Sequence, residues 1–190
     1  MGNNLRHSIK EKIDISEEEL AFAESLFVRR NLVKKDSILN QGEICSSTIF
    51  VEEGLLRSYT IDSKGKEHIL QFTTEGRWTA DLSSFFSGEP SLYNIEALEN
   101  CELLLLTNQK WDLLLKKLPD FERYFRMLIQ NNLIATQGRL MGTISSNAEE
   151  RYRKLITDFP NIIQRVPQHM IASYLGITRE TLSRIRRQIF

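Results

Sequence analysis

Neither sign of charge prevails in this chain: 25 Lys and Arg balance 25 Asp and Glu over 190 residues, for a formal net charge of zero at pH 7. That excludes a polycation that coats nucleic acid over its whole surface, so any nucleic-acid-binding face must be local. Cysteine is scarce. Cys45 and Cys101 stand far apart at no metal-ligand spacing, and they read as small buried hydrophobes rather than a disulfide or ligand pair. The three histidines, His7, His68 and His169, are isolated from one another. That argues against a metal-dependent jelly-roll enzyme, which needs a cluster of His and carboxylates. No G-x-S-x-G elbow, P-loop or dinucleotide fingerprint occurs, so no enzymatic activity is expected. No apolar run approaches the ~20 residues of a bilayer-crossing helix. The polar stretch from Met1 to Lys10 has no apolar core of signal-peptide length. Met1-Gly2 invites myristoylation, but Arg6 stands where that motif wants Ser or Thr. These absences set the cytoplasm as the expected location, without a membrane partner.

What is present is organised. The length suits one large domain or two small ones, and 41% hydrophobic with 26% charged residues is ordinary for a globular protein. Ser16 and Glu19 have capping-box spacing, and Leu20, Ala23 and Phe27 follow at helical intervals. From about Val28 the pattern changes to short Val-, Ile-, Phe- and Tyr-rich segments punctuated by Gly42, Gly54, Gly65 and Gly76. Ser63-Lys64-Gly65-Lys66 reads as a hairpin turn between strands at 57–62 and 67–73. Further strands fit 93–98 and 102–106, with a short helix at 81–86 before them. Many short strands at regular spacing imply an antiparallel barrel or jelly roll. Thr107 is a good N-cap for a helix through Leu115, and Pro119 restarts the helix at a favoured position. The stretch from Asp120 to about Ser145 contains no proline and predicts a helix ~39 Å long. Phe121, Phe125, Leu128, Ala135 and Gly142 recur on it at intervals of fours and threes, interrupted by Asn132 and Arg139. That spacing suggests a dimerisation seam, with packing on the chain's own barrel as the alternative. A further helix fits 148–157 and ends at Pro160.

The last 29 residues carry five arginines, Arg165, Arg179, Arg184, Arg186 and Arg187, against one acid, Glu180. Pro167 opens a helix whose apolar face holds Ile171, Tyr174 and Leu175, and Ala172 permits close packing. Gly176 supplies a left-handed turn and Thr178 caps a second helix. On that helix Leu182, Ile185 and Ile189 share one face. Glu180, Ser183, Arg184 and Arg187 lie opposite, with Arg179 at the flank. This is a helix-turn-helix layout. Guanidinium groups bond two acceptors of a guanine edge at once, and a carboxylate accepts from cytosine N4. Hydroxyls and first-turn amides suit phosphate oxygens. The competing reading is a small-molecule-binding barrel whose C-terminal helices serve assembly, but it leaves this arginine face unexplained.

The segment Ile177-Thr178-Arg179-Glu180-Thr181-Leu182-Ser183-Arg184 resembles the recognition segment of the CRP/FNR superfamily of bacterial regulators. Lys64 to Leu70 resembles that family's barrel hairpin, and Thr73 to Leu82 the entry to its phosphate-binding loop. The resemblance implies an α+β chain in three parts: a cyclic-nucleotide-binding-like sensor domain over 1–118, a dimerisation helix over 119–145, and a helix-turn-helix domain over 146–190 without a β-wing. It implies that Arg179, Glu180 and Arg184 face bases and that Gln168, Thr178 and Thr181 contact the backbone, with Ser183 and Arg187 completing the polar face. Double-stranded operator DNA, a second copy of the chain and RNA polymerase are the implied partners. An effector would lie among Leu70, Gln71, Trp78, Asp81, Ser91, Tyr93, Thr136 and Gln137. In nucleotide-binding members a Gly-Glu pair and an Arg-Ser pair hold the ribose and cyclic phosphate; here Ala80-Asp81 and Ser91-Leu92 stand at those places. Loss of the phosphate-binding arginine points to an effector other than cyclic AMP. No N-terminal cysteine cluster for iron–sulfur sensing precedes Cys45, and no cofactor is expected.

Overall fold

A computed structural model describes residues 3–189; Met1 and Gly2, where the myristoylation motif would start, and Phe190 lie outside the described residues. Helix α1 (Asn3–Lys10) opens the chain, and α2 (Glu17–Ser25) follows behind its Ser16–Glu19 capping box. Nothing near α1 in sequence announces it, because its cap is supplied from 48 residues away. The buried carboxylate of Glu52 accepts from the first-turn amides of Asn4 (2.7 Å) and Leu5 (3.2 Å). Those amides have no intrahelical partner, and a carboxylate there also complements the helix dipole.

Eight strands follow: β1 (Val28–Leu32), β2 (Ser37–Leu39), β3 (Ser47–Glu53), β4 (Leu56–Ile61), β5 (Glu67–Thr73), β6 (Trp78–Thr79), β7 (Asn94–Ala97) and β8 (Cys101–Thr107). Helix α3 (Leu82–Ser87) sits between β6 and β7. The strands form two antiparallel four-stranded sheets, ordered β1-β8-β3-β6 and β2-β7-β4-β5, rather than one closed barrel. Leu32, Ile49, Val51 and Leu103 from the first sheet and Leu39, Leu56, Ile95 and Ala97 from the second share one buried cluster, so the core lies between the sheets. Cys45 and Cys101 are free and buried in it, as small hydrophobes.

The chain then becomes wholly helical: α4 (Asn108–Lys117), capped by Thr107, α5 (Asp120–Ser145), α6 (Ala148–Asp158), α7 (Ile162–Arg165), α8 (Gln168–Leu175) and α9 (Arg179–Ile189). The long helix has its expected bounds, but the first three residues of its expected seam are taken by the chain's own core. Phe121 and Phe125 are buried there, Phe125 against Trp111 of α4 and Trp78 of β6, and Leu128 packs beside them, while Ala135 further along stays exposed. The apolar residues α5 leaves exposed are Ile129, Leu133, Ile134, Leu140, Met141 and Ile144. A second core joins Leu55, Ile69, Phe72 and Leu98 of the strand region to Tyr152, Leu155, Ile171, Leu175, Leu182 and Ile185 of the C-terminal helices. Among the described residues no helix is long and apolar enough to cross a membrane.

One turn is tightly constrained. Gly54, between β3 and β4, has φ +98°, and a Cβ there would lie 2.6 Å from both the Asn100 carbonyl oxygen and the Cys101 sulfur. Gly54→Ala is expected to destabilise the fold by about 2–4 kcal/mol, combining left-handed backbone strain with overpacking. Denaturant unfolding checks this, and an unchanged midpoint would refute it.

Candidate nucleic-acid interface and effector site

The geometry of the last two helices follows from local chemistry. Gly176 ends α8 with φ +67°, and the Ile177 amide reaches back to the Ala172 carbonyl at 3.0 Å. That is the 6→1 closure of a left-handed helix end. Two residues on, the Thr178 hydroxyl accepts from the Thr181 amide (3.2 Å) and caps α9. Leu182 and Ile185 are buried and Ile189 packs beside them, which orients the helix. Gln168, Arg179, Glu180, Ser183, Arg184 and Arg187 therefore meet on the opposite side, where with Gln188 they line one shallow surface depression. Gln188 was not singled out by the sequence pattern. Glu180's own backbone N–H, then the Thr178 hydroxyl and the Arg179 charge, hold its carboxyl below the usual range. It is thus acceptor-only at neutral pH, amid three guanidinium groups that are donors only. Such a surface presents both hydrogen-bonding signs to a planar, polar-edged ligand.

Arg165 does not join this face. It is half-buried at the end of α7, paired with Glu75 at 2.6 Å and with Glu99, which lie in the connections after β5 and β7. Its hydrogen bonds to Glu75, then to Glu99, raise the pKa of Arg165 against the opposing effect of burial, so it stays cationic. Counting it as part of an exposed basic end is corrected by this pairing. The sequence could not show it, because the carboxylates lie 90 and 66 residues away.

At the sensor end, Asp81, Ser91 and Tyr93 come together. Asp81 is buried, caps α3 through the Ser84 amide (3.1 Å), and accepts from the Ser91 hydroxyl (2.8 Å) and the Leu92 amide (3.3 Å). Tyr93 donates to the Ala80 carbonyl at 2.8 Å, and burial first, then the Asp81 charge, pushes its phenol pKa up. The loop from Ala80 to Tyr93 is thus closed on a carboxylate of its own. Trp78 lies in a different setting. Its ring packs against Phe27, Phe50 and Phe125 at 5.2–5.9 Å, and its indole N–H donates to Tyr124. Leu70 and Gln71 lie on β5, half-buried, where the register passes from Ser58↔Gln71 to Tyr59↔Ile69 and leaves Leu70 as a bulge. Thr136 and Gln137 are exposed on α5.

Two antiparallel sheets are thus followed by a helical C-terminal half that presents one polar face. Residues 29–117 match the family model of the cyclic nucleotide-binding domain. The chain is 25% identical over 186 residues to the anaerobic regulatory protein of Aggregatibacter actinomycetemcomitans, covering 90% of this chain and 70% of that protein. It is 27% identical over 183 residues to the cyclic AMP receptor protein of Thermus thermophilus, covering 90% and 81%. The solved structure of FixK2 from Bradyrhizobium japonicum superposes with a TM-score of 0.74 at 19% identity, over 86% of this chain and 84% of that one. Residues 29–117 thus match a cyclic nucleotide-binding domain, and the chain as a whole is similar over most of its length to bacterial transcriptional regulators that carry one.

Proposed function

We propose that this protein is a dimeric, sequence-specific regulator in which α8 and α9 act as a helix-turn-helix on duplex DNA. A jelly-roll sensor over 1–118, a dimerisation helix over 119–145 and a DNA-binding domain over 146–190 make up the chain. The observation that carries the reading is the polar depression. Four donor or mixed side chains, Arg179, Arg184, Arg187 and Gln168, meet Glu180 and Ser183 on the solvent face of a helix whose other face is buried. Side chains of this kind read base edges in the major groove, while Thr178, Thr181 and the first-turn amides suit phosphate oxygens. Selection of bound sequences from random duplex DNA tests it: an inverted repeat is the expected result, with half-sites about one helical turn apart. Enrichment of nothing over input would refute it.

The effector of the sensor is proposed to be something other than cyclic AMP. A cyclic phosphate brought there would meet Ser91 where a guanidinium is needed, with the Ser91 hydroxyl already donated to the buried, negatively charged Asp81 carboxylate. Burying an unpaired charge costs several kcal/mol, about as much as a micromolar ligand gains in total. Titration calorimetry with cyclic AMP is expected to give no binding heat; a micromolar dissociation constant would overturn this. RNA polymerase is a further protein partner consistent with a regulator of this class.

A further inference from the structure

Strand β5 is the outer strand of its sheet, so one side of its backbone has no neighbouring strand. A single hydroxyl stands in for one. Ser173 of α8 accepts from the Ile69 amide at 3.1 Å and donates to the Glu67 carbonyl at 3.2 Å. Those groups, two residues apart on one edge, are what an added strand would engage. Beside them, Tyr174 packs on Phe72 of β5 with ring centroids 5.2 Å apart. The Leu70 bulge turns its carbonyl to Arg139 of α5, whose guanidinium lies 5.2 Å from the Tyr174 ring centroid. This gives Arg139, which interrupts the apolar pattern of α5, a part to play. Eight residues before Ser173, Arg165 is held by Glu75 and Glu99. Only Ser146 and Asn147 separate α5 from α6, and Asn147 spends its side chain capping α6. Ser173, Tyr174 and Arg165 are three separate points, enough to fix a rigid body against the sheet.

We propose that Arg165 and Ser173 are positioning residues that seat the recognition pair on the free edge of β5. The sensor sheet, not the short connection at 146–147, then sets the separation and tilt of the two recognition helices in a dimer. The proposal rests on α8 and α9 being the DNA-binding pair. It assigns Arg165 a different task from that of a phosphate contact, and β5 a double one, since the strand offering Leu70 and Gln71 to the sensor also carries α8.

The test uses the full chain and two readouts. Without DNA, exchange of the Ile69 amide, protected here by Ser173, is followed by NMR in the wild type, Arg165→Ala, and Glu75→Gln with Glu99→Gln. Neither variant touches Ile69, yet both are expected to speed its exchange by about tenfold through release of the docked unit. An unchanged rate in both overturns the proposal. The carboxylate variant leaves the C-terminal helices intact, so the test survives if Arg165→Ala fails to fold. With DNA, inverted repeats are compared as the half-site spacing is varied one base pair at a time. Both variants are expected to keep the half-site preference but to lose about tenfold of discrimination among spacings. A lower salt slope with an unchanged spacing profile in Arg165→Ala would make Arg165 a phosphate contact instead and overturns the proposal. If the wild type binds no duplex, the DNA reading fails by itself, and the exchange rates alone decide the docking.

Discussion

Arg184→Ala is expected to cost about 1–3 kcal/mol per half-site on the selected operator and far less on random DNA. A twofold dimer makes the contact twice, so the loss for a full inverted repeat approaches double that, if the two half-sites add. The reasoning starts from the helix. Leu182 and Ile185 are buried, which turns Arg184 outward on α9. There it lines the same depression as Arg179, Glu180 and Arg187. A guanidinium in that place bonds O6 and N7 of one guanine together, a pairing that no other base offers in the same geometry. Alanine removes both bonds and leaves the guanine edge unsatisfied in the interface. Titrations of operator and scrambled duplex at one fixed salt concentration check the difference. Selectivity that survives the substitution would remove Arg184 from base reading even if the protein still bound DNA.

Leu133→Glu together with Leu140→Glu is expected to convert the protein to a monomer and to weaken operator binding by two orders of magnitude or more. Ile129, Leu133, Leu140 and Ile144 are spaced by four, seven and four residues and are 43%, 53%, 61% and 74% exposed. That is a stripe along one side of α5, of heptad type, facing away from the core that holds Phe121 and Phe125. Covering each such side chain contributes roughly 1.5–3 kcal/mol, twice over in a symmetric pair, whereas a buried carboxylate without a partner opposes association. Leu128→Glu should behave differently: Leu128 packs against the chain's own core, so its loss lowers stability first. Sedimentation at micromolar concentration separates the two outcomes. A wild-type monomer, or a dimer in the double variant, would show that α5 is not the interface.

Both predictions depend on information that sits at different distances along the chain. Where a structural choice depends on neighbours within about four residues, the sequence was enough. The Ser16–Glu19 box, the Thr107 and Thr178 caps and the left-handed Gly176 are all where local chemistry puts them. The hairpin at 63–66 joins β4 to β5 as its turn residues require, and α5 runs from Asp120 to Ser145 as its lack of proline allows. The buried and polar faces of α9 followed from the 3.6-residue period alone. Nearly all of the candidate DNA face was therefore legible, Gln188 being the exception.

Tertiary structure decided everything that depends on which distant groups meet. Periodicity shows that α5 has an apolar side but not which surface covers it, and the chain's own core takes Phe121, Phe125 and Leu128 while leaving Leu133 and Leu140 outside. Helix α1 was silent in sequence because Glu52 caps it from another element. Arg165 read as one more basic residue until Glu75 and Glu99 were brought beside it. Asp81 read as an altered ligand position, and only the folded loop shows its carboxylate consumed by Ser84, Ser91 and Leu92. A cap, a turn or a helix face is set by short-range sterics and hydrogen bonds. The partner of a charge, or the cover of an apolar stripe, is set by packing between elements far apart in the chain, and no local pattern encodes it.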